Sequence, residues 1–575
     1  MINIDKKIIC FLFLIVPVFV SAGIIKSIKI QDTTIQREIA YTVQKSDTTT
    51  QIKTALQKKA TAHKPDTTSK TPVQTQSAEK VKTTKLPGSN RQSEPAGQRK
   101  RVQITHADSL VHNKSFADNI QRLIGNVQLL HDDITMLCDS AYSYADTNMV
   151  DGYSHVHIIK SDTLHLYADF VNYNGDTKIA RAKGNVKLIN KATTLTSDSL
   201  NYDMNTGIGY YNHYGTIKDS TSTLHSKIGE YHVREDKAYF KTEVHGMANG
   251  YTLKSDTLIY QPNSGIVSIV GPTNIFNDEN NLVATKGTYN TKSGKADLFK
   301  RPVITRGTNK IIANTIYYEK SNGNGRALGD AEIYDIKNHI IVKGNRVIYN
   351  DSLQTSMTTD SAQLIYYSER DTFFLHADTL FSFPDDSIPE QKIAKAYYHV
   401  KFFRKDMQGK CDSLVYLTRD STTQMFHDPV VWSQDNQLSA DYIKVETNDK
   451  DRKTAYLDDN AFIIARQDTG LYNQIKGRNM IGHIYQNNLY RIDVDGNGES
   501  LYYASDDNGI FGLNNVKCSS IIIYLKDSKI NKINLVSSPE GFLTPIGELS
   551  ETDKTLSHFK WLEDIRPKSR YDIFK

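Results

Sequence analysis

The sequence predicts an all-β chain, elongated and repetitive, in which units of about 29 residues stack as in a β-solenoid. Three observations predict this class: a composition that favours strands, an octapeptide that returns at a constant step, and a Gly-Asn signature that alternates with it. The chain has 575 residues, among them 33 Tyr, 20 Phe, 14 Pro and 2 Trp. Tyr-rich and Pro-poor composition favours extended structure, and the 10% of aromatic residues is too high for a wholly disordered chain.

The octapeptide that begins at Leu195 has the form apolar, any, small, polar, any, apolar, any, aromatic. It starts at positions 166, 195, 224, 253, 282 and 311, so the step between copies is constant, and a further copy starts at 342. Leu195 and Ser197 share one face of a strand, whereas Leu200 and Tyr202 share the other. We therefore expect a bend or bulge between Ser197 and Asp198, which turns both apolar halves toward one interior.

The second signature, Gly-Asn-Val-x-Leu, occurs at 125–129 and 184–188, with variants at 215–217 and 329–333. Gly-Asn suits a tight turn with positive φ, so we expect a turn there, followed by a strand with one buried face. Further turns are predicted at 205–207, 263–265 and 292–294.

Composition divides the chain into five segments. Lys6 and Lys7 precede an apolar run from Ile8 to Val20, which predicts a signal peptide over residues 1–22, with an uncleaved anchor as the alternative. The Thr-, Lys- and Gln-rich residues that follow have no apolar periodicity and predict a disordered linker. The predicted segments after the signal are a basic linker at 23–101, regular repeats at 102–350, a second, less regular β section at 351–540 and a C-terminal tail at 541–575.

The basic charge of the chain lies in the linker. Residues 51–101 hold twelve Lys and Arg against three Asp and Glu. The whole chain carries a net charge of +5, so the predicted folded part is mildly acidic. A mildly acidic surface makes nucleic acid a poor partner, and we predict none.

The cysteines after Cys10 are expected to be buried thiols. Cys138, Cys411 and Cys518 each occupy the small-residue slot of the octapeptide, where Ala and Ser stand in other copies. A residue that exchanges with Ala is best explained as a small apolar side chain. We predict no disulfide between them.

Other reactive residue types do not form a convincing site. Asp493 to Gly498 matches the first half of a calcium-binding loop, but Ala504 stands where a bidentate Glu is required. His155 and His157 lack further metal ligands near them in the sequence. Aspartates recur at the polar slot of the octapeptide, where corner geometry explains them better than acid–base catalysis. We predict no catalytic residue, no metal, no cofactor and no enzymatic activity.

The alternation of Gly-Asn-Val-x-Leu with Ala/Ser-Asp-x-Leu-x-Tyr resembles the OstA-like (organic solvent tolerance) N-terminal domain family, which is related to the periplasmic bridge protein of lipopolysaccharide transport. The resemblance implies a β-jellyroll whose antiparallel strands form an open groove, lined by apolar residues that hold lipid A acyl chains. It also implies modules that join edge to edge. The matching stretches are Gly125–Leu129, Ala182–Leu188, Ser197–Tyr202 and Ser255–Tyr260.

The functional hypothesis is a non-enzymatic periplasmic conduit for lipopolysaccharide transport and outer-membrane assembly, associated with the inner or outer membrane. The resemblance implies as partners lipopolysaccharide, other OstA-like proteins of the transport bridge and of the outer-membrane translocon, and further copies of this chain joined end to end. The alternative is a right-handed parallel β-helix that acts on polysaccharides as an enzyme or an adhesin. The residues expected to line the groove are Val127, Leu129, Val186, Leu188, Leu195, Leu200, Leu253, Leu258, Ile311 and Ile316.

Overall fold

The computed structural model describes residues 100–112, 119–368, 371–449, 451–486, 488–506, 509–526 and 529–575. These residues form forty β-strands and four short 3-10 helices, with no α-helix among them. The predicted all-β fold is therefore confirmed. The predicted signal peptide and nearly all of the predicted linker lie outside the described residues. None of the helices in this part of the chain is long and apolar enough to cross a membrane.

The strands follow one another with short connections. The first fourteen are β1 (Gln103–His106), β2 (Ser109–Val111), β3 (Ile120–His131), β4 (Ile134–Tyr144), β5 (Met149–Lys160), β6 (Leu164–Asn174), β7 (Ile179–Asn190), β8 (Thr193–Asp203), β9 (Ile208–Tyr211), β10 (Gly215–Lys218), β11 (Ser222–Ser226), β12 (Ile228–His232), β13 (Lys237–Ala248) and β14 (Tyr251–Gln261). The next thirteen are β15 (Ile266–Ile269), β16 (Thr273–Phe276), β17 (Asn280–Ala284), β18 (Lys286–Asn290), β19 (Lys295–Phe299), β20 (Val303–Arg306), β21 (Asn309–Ile312), β22 (Thr315–Glu319), β23 (Asn324–Asp335), β24 (Ile340–Asn350), β25 (Thr355–Tyr367), β26 (Thr372–Pro384) and β27 (Lys392–Arg404).

The remaining strands lead to a segment of 3-10 turns at the C-terminus. They are β28 (Met407–Leu417), β29 (Thr422–Phe426), β30 (Val430–Ser433), β31 (Asn436–Ser439), β32 (Tyr442–Thr447), β33 (Arg452–Asp458), β34 (Ala461–Asp468), β35 (Leu471–Gly477), β36 (Asn479–Tyr485), β37 (Asn488–Asp506), β38 (Gly509–Lys526), β39 (Lys529–Val536) and β40 (Glu540–Pro545). The 3-10 helices are Ile546–Glu548, Glu551–Lys554, Glu563–Ile565 and Asp572–Phe574.

Most long strands bend in the middle and take part in two layers. In β3, residues 120–124 pair with 140–144 of β4, whereas residues 127–131 pair with 134–138. We call the layer that contains 120–124 sheet A and the layer that contains 127–131 sheet B. The strands continue from one sheet into the other at a corner, so the two sheets are covalently joined along that side.

One unit of the repeat is an antiparallel pair of bent strands. Leu188 of β7 lies opposite both Leu166 of β6 and Leu195 of β8, which occupy the same slot in successive units. Every strand pairing among the described residues is antiparallel, and this excludes the parallel β-helix alternative. The pairing also runs without a break across position 350, through β24 and β25.

The Gly-Asn signature is a β-bulge at the corner, so the predicted tight turn at this position is wrong. Gly184 and Asn185 lie inside β7, with φ of 74° and 48°. The register between β7 and β8 shifts there, because the two residues oppose the single Asp198. The bend expected between Ser197 and Asp198 is thereby confirmed, and the extra residue in β7 produces it. The predicted turns at 205–207, 263–265 and 292–294 do connect strands, each closed by a Gly with positive φ.

The core lies between the two sheets. One continuous cluster of buried apolar side chains runs from Leu123 of β3 to Ile523 of β38. A second, smaller cluster lies on the outer face of sheet B and includes Phe462, Leu513 and Leu556. The outer face of a half-buried antiparallel sheet usually faces water, so this second cluster indicates that something covers sheet B there.

Candidate functional site: the interior and the seam between the sheets

The ten residues predicted to line a groove all point into the space between the sheets. Each is at most 2% exposed and belongs to the continuous core cluster. Leu188 and Leu195 lie opposite each other in sheet B, and Ile316 lies opposite Leu298 and Ala327 in sheet A. Contact of these residues with lipid stays a prediction, because their position alone does not identify a ligand.

Side chains fill this interior, in contrast to the open groove that the resemblance implies, because the ten residues expected to line that groove are each at most 2% exposed. Near the last strands, a pocket that includes Ile475, Ile521 and Ile523 among its lining residues has a volume of about 10 Å³. This is the space of about one water molecule. An acyl chain would therefore have to separate the two sheets in order to lie between them.

The sheets meet again on the side opposite the corner, where the hairpins of sheet A approach those of sheet B. We call this line the seam. In the copies of the octapeptide that end at Tyr173, Tyr231 and Tyr260, the tyrosine reaches across it from sheet A. Tyr173 OH lies 2.8 Å from His131 Nδ1, and Asn190 Nδ2 donates to Tyr231 OH at 3.1 Å. Each tyrosine is at most 2% exposed, so these contacts are made away from water.

The next copy of the contact involves Tyr260. Its hydroxyl hydrogen-bonds Ser222 Oγ at 3.0 Å and donates to the Asp219 carboxylate. Burial raises the pKa of Tyr260 to about 12, with the hydrogen bond to Asp219 acting in the same direction. Burial also raises the pKa values of Tyr173 and Tyr231. The hydroxyls therefore remain protonated and act as neutral hydrogen-bonding groups at physiological pH.

Charged side chains cross the seam as well. Lys178 of sheet A pairs with Asp132 in the first hairpin of sheet B, and hydrogen bonds from Lys100 and Lys178 lower the pKa of that carboxyl. In the next unit Lys160 Nζ donates to the carbonyl of Met204 at 2.7 Å. The seam is thus closed by side-chain contacts, whereas the corner is closed by the backbone.

Ionisable groups with perturbed pKa values also lie at the seam. Burial raises the pKa of Asp351 in sheet A to about 7, although Tyr318 and the Arg306 guanidinium of sheet B oppose the shift. Burial lowers the pKa of Lys392 to about 8, and Asp335 opposes that shift. Both groups therefore change charge within reach of neutral pH.

The recurrent aspartates stabilise the corner, as expected. Asn185 Nδ2 donates to Asp169 at 2.8 Å, and Asn460 Nδ2 donates to Asp441 at 2.9 Å. A Cβ at position 184 would lie 2.5 Å from the Asp169 carboxylate, so the close approach requires glycine there. The contacts repeat from unit to unit and belong to the framework.

The cysteines and histidines take the places expected of structural residues. Cys138, Cys411 and Cys518 are buried free thiols, which confirms the expectation from the octapeptide. His155 lies in the bulge of β5 and contacts Asp139 at 2.8 Å, whereas His157 lies 3.2 Å from His165. Among the described residues no group of three or more His, Cys, Asp or Glu side chains could hold a metal ion.

The C-terminal segment, residues 546–575, lies across the outer face of sheet B, and we call it the strap. Gln437 donates to the carbonyl of Lys560 at 2.8 Å and accepts from the amide of Leu562 at 2.8 Å. Gln474 makes the same pair of bonds to Lys554 and Leu556, at 2.7 and 2.8 Å. These glutamines gave no signal in the sequence, because polar residues on the outward side of a strand are the ordinary pattern of a half-buried sheet.

The strap also explains the second apolar cluster. Phe559 and Trp561 of the strap pack on Tyr472, with ring centroids 5.4 and 5.1 Å apart. Farther along, Phe574 packs on His376 with centroids 4.6 Å apart. The strap therefore covers sheet B over several units.

Strands with an unpaired edge lie at both ends of the array. Among the described residues β1 and β2 pair only with β3, and β39 and β40 pair only with β38. Three apolar side chains near the last edge are largely exposed: Phe542 (75%), Leu543 (56%) and Ile546 (45%). An exposed apolar edge of this kind favours pairing with another strand.

Comparison with known proteins identifies one matching family. Residues 99–256 match the family described as OstA-like protein, which confirms the predicted resemblance over that region. No curated protein matches the chain. A similar solved structure is LptH from Pseudomonas aeruginosa, the LptA-homologous periplasmic component of the lipopolysaccharide transport device, at 12% identity and a TM-score of 0.16. The match covers 19% of this chain and 74% of LptH.

Proposed function

We propose that this protein is a non-enzymatic conduit for lipopolysaccharide in the periplasm, with acyl chains held between sheets A and B. The observation that carries the proposal is the unbroken apolar layer from Leu123 to Ile523. A pocket for a single small molecule would be enclosed at both ends, whereas this layer has the same character in every unit. The OstA-like match over residues 99–256 supports the substrate class and the compartment.

Energy considerations are consistent with a sliding ligand. Each buried methylene contributes about 0.8 kcal/mol, so a chain of ~12 carbons gains at most about 10 kcal/mol. Because successive units present similar apolar side chains, this gain changes little as the ligand moves from one unit to the next. The gain must also exceed the cost of separating the packed side chains.

The partners in this proposal join at the ends of the array. The unpaired edges of β39 and β40 and the exposed Phe542 and Leu543 favour strand addition. Other OstA-like proteins of the bridge and the outer-membrane translocon are the proposed partners, and a second copy of this chain could join in the same way.

The proposal is tested by photocrosslinking in cells. A photoreactive residue at Val186 or Leu200 should form adducts with lipopolysaccharide. The matched controls are the exposed neighbours Lys187 and Asn201, at which no adduct is expected. Adducts at neither inward position would contradict the conduit and favour a connector whose interior is purely structural.

A further inference from the structure

The seam and the corner differ in what holds the sheets together. At the corner the backbone of each long strand passes from sheet A into sheet B, as at Gly184 and Asn185. At the seam the contacts are made by side chains such as Tyr173 and Tyr231. Side-chain contacts can break without disturbing the backbone ladders, so the seam is the side on which the sheets can part.

The tyrosine contacts follow the repeat. Tyr173 contacts a residue 42 positions earlier, and Tyr231 and Tyr260 contact residues 41 positions earlier. Since these separations exceed the length of one unit, each contact joins a tyrosine of sheet A to a strand end or hairpin of an earlier unit in sheet B. The partners differ chemically, being His131, Asn190 and Asp219, while the tyrosine is constant. One closing contact is therefore available at each of these units.

We propose that these tyrosines are latches, which open unit by unit so that the acyl chains of an amphiphile lie between the sheets while its polar head stays outside the seam. This inference rests on the proposed conduit function. A head group of several sugars cannot enter a filled apolar interior, because its polar groups would lose their hydrogen bonds to water. A lipid with its tails inside and its head outside must hold the seam open at its position, and the latches close behind it.

The latch contacts suit repeated opening. Each contact consists of only a few hydrogen bonds between side chains that also bond well to water, so breaking it has a small net cost. The buried ring of Tyr231 stays in the apolar layer when its hydroxyl loses Asn190. Opening one unit leaves the latches of neighbouring units in place.

The first experiment removes the hydroxyls. In the full chain, Tyr173→Phe, Tyr231→Phe and Tyr260→Phe are combined, and the loading of fluorescent lipopolysaccharide is followed by stopped flow. Loading and release should both become faster, by up to about tenfold for each latch that limits opening. The control combines Tyr167→Phe, Tyr210→Phe and Tyr317→Phe, three tyrosines that are 37% exposed on the outer faces. Equal rates in both variants would overturn the latch.

The second experiment locks the seam after folding. His131→Cys with Tyr173→Cys, and Asn190→Cys with Tyr231→Cys, are bridged by a short cleavable crosslinker in a chain whose three buried cysteines are replaced by alanine. Loading should stop in the bridged protein and return after cleavage. Undiminished loading of the bridged protein would overturn the latch but leave the conduit intact. Absence of loading even after cleavage, and in the unaltered protein, would instead contradict the conduit and the latch together.

Discussion

At the scale of the residue, the tyrosine of the octapeptide has a role that its sequence position does not reveal. The pattern shows that an aromatic residue recurs once in each unit, and the structure shows that Tyr231 and Tyr260 carry a hydroxyl to the seam. A phenylalanine would fill the same space between the sheets. The hydroxyl is thus the part of the side chain that the seam requires at these positions.

Asp351 makes the seam sensitive to pH. Its pKa rises from 3.8 to about 7 on folding, so the folded protein holds this proton more tightly between those values. The free energy of unfolding contributed by this group therefore falls as the pH rises through that window. The free energy of unfolding of Asp351→Asn should therefore increase by about 1–2 kcal/mol relative to that of the wild type as the pH rises from about 5 to about 8. This is less than the full pKa shift would give, because the carboxyl keeps some hydration.

Urea unfolding of the wild type and of Asp351→Asn at several pH values measures this effect. The neighbouring groups Tyr318, Tyr349 and Arg306 are unchanged in the variant, so the difference isolates the carboxyl. The matched control is Asp278→Asn at an exposed hairpin. The explanation fails if both variants respond to pH in the same way.

At the scale of the element, two glutamine side chains of sheet B hold the strap by hydrogen bonds to its backbone. Gln437 and Gln474 each bond a carbonyl and an amide two residues apart, as a neighbouring strand would. Gln437 is 1% exposed and also accepts from Trp432 Nε1 at 3.2 Å. Buried polar groups that lose their partner are costly, so the strap depends on these amides.

Gln437→Ala should therefore destabilise the protein by about 2–3 kcal/mol, because two backbone groups and the Trp432 indole lose their partner. Chemical denaturation measures the loss, and hydrogen exchange should increase across residues 556–575. Gln363→Ala is the matched control, since this half-buried glutamine lies on the same face of sheet B. Its effect should stay within about 0.5 kcal/mol. Equal effects of the two substitutions would refute this account of the strap.

At the scale of the whole molecule, the array is a series of equivalent units. The pairing of Asp203 with Ile208 has the same form as the pairing of His232 with Lys237, one unit later. The hairpins on either side of a unit therefore present the same register to their neighbours. Stability in such arrays depends mainly on contacts between adjacent units.

Deletion of one full unit, positions 208–236, should consequently leave a folded protein. The deletion joins Gly207 to Lys237, so that β8 pairs with β13 in the former register and Asn190 faces Tyr260. Far-ultraviolet circular dichroism should keep its strand signal per residue, and unfolding should stay cooperative. A deletion of positions 208–222 is the control. It removes half a unit and would place the sheet B residues of β11 next to the sheet A half of β8. Loss of structure in both proteins would show that the units are not equivalent.

The amino-acid sequence by itself determined the strand content, the length of the repeating unit and the inward side of each strand half. These properties follow from periodicity, since apolar residues at alternate positions must share one buried face. The sequence also predicted that Cys138 and the ten apolar residues face the interior, because their positions in the octapeptide and in the Gly-Asn signature recur. The positions of the Gly-Asn bulges were marked in the sequence, although tight turns were predicted there, whereas the bulge at Ser154 and His155 contains neither Gly nor Asn.

Only the tertiary structure decided the antiparallel pairing, the closed seam and the strap. His131, Asn190 and Asp219 show no common pattern, because the tyrosine hydroxyl bonds equally well to a ring nitrogen, an amide or a carboxylate. Gln474 meets the strap 80 residues away in the chain. Periodicity reports which face of a strand is buried, but contacts between distant segments depend on how the faces are brought together, and that is a property of the folded chain.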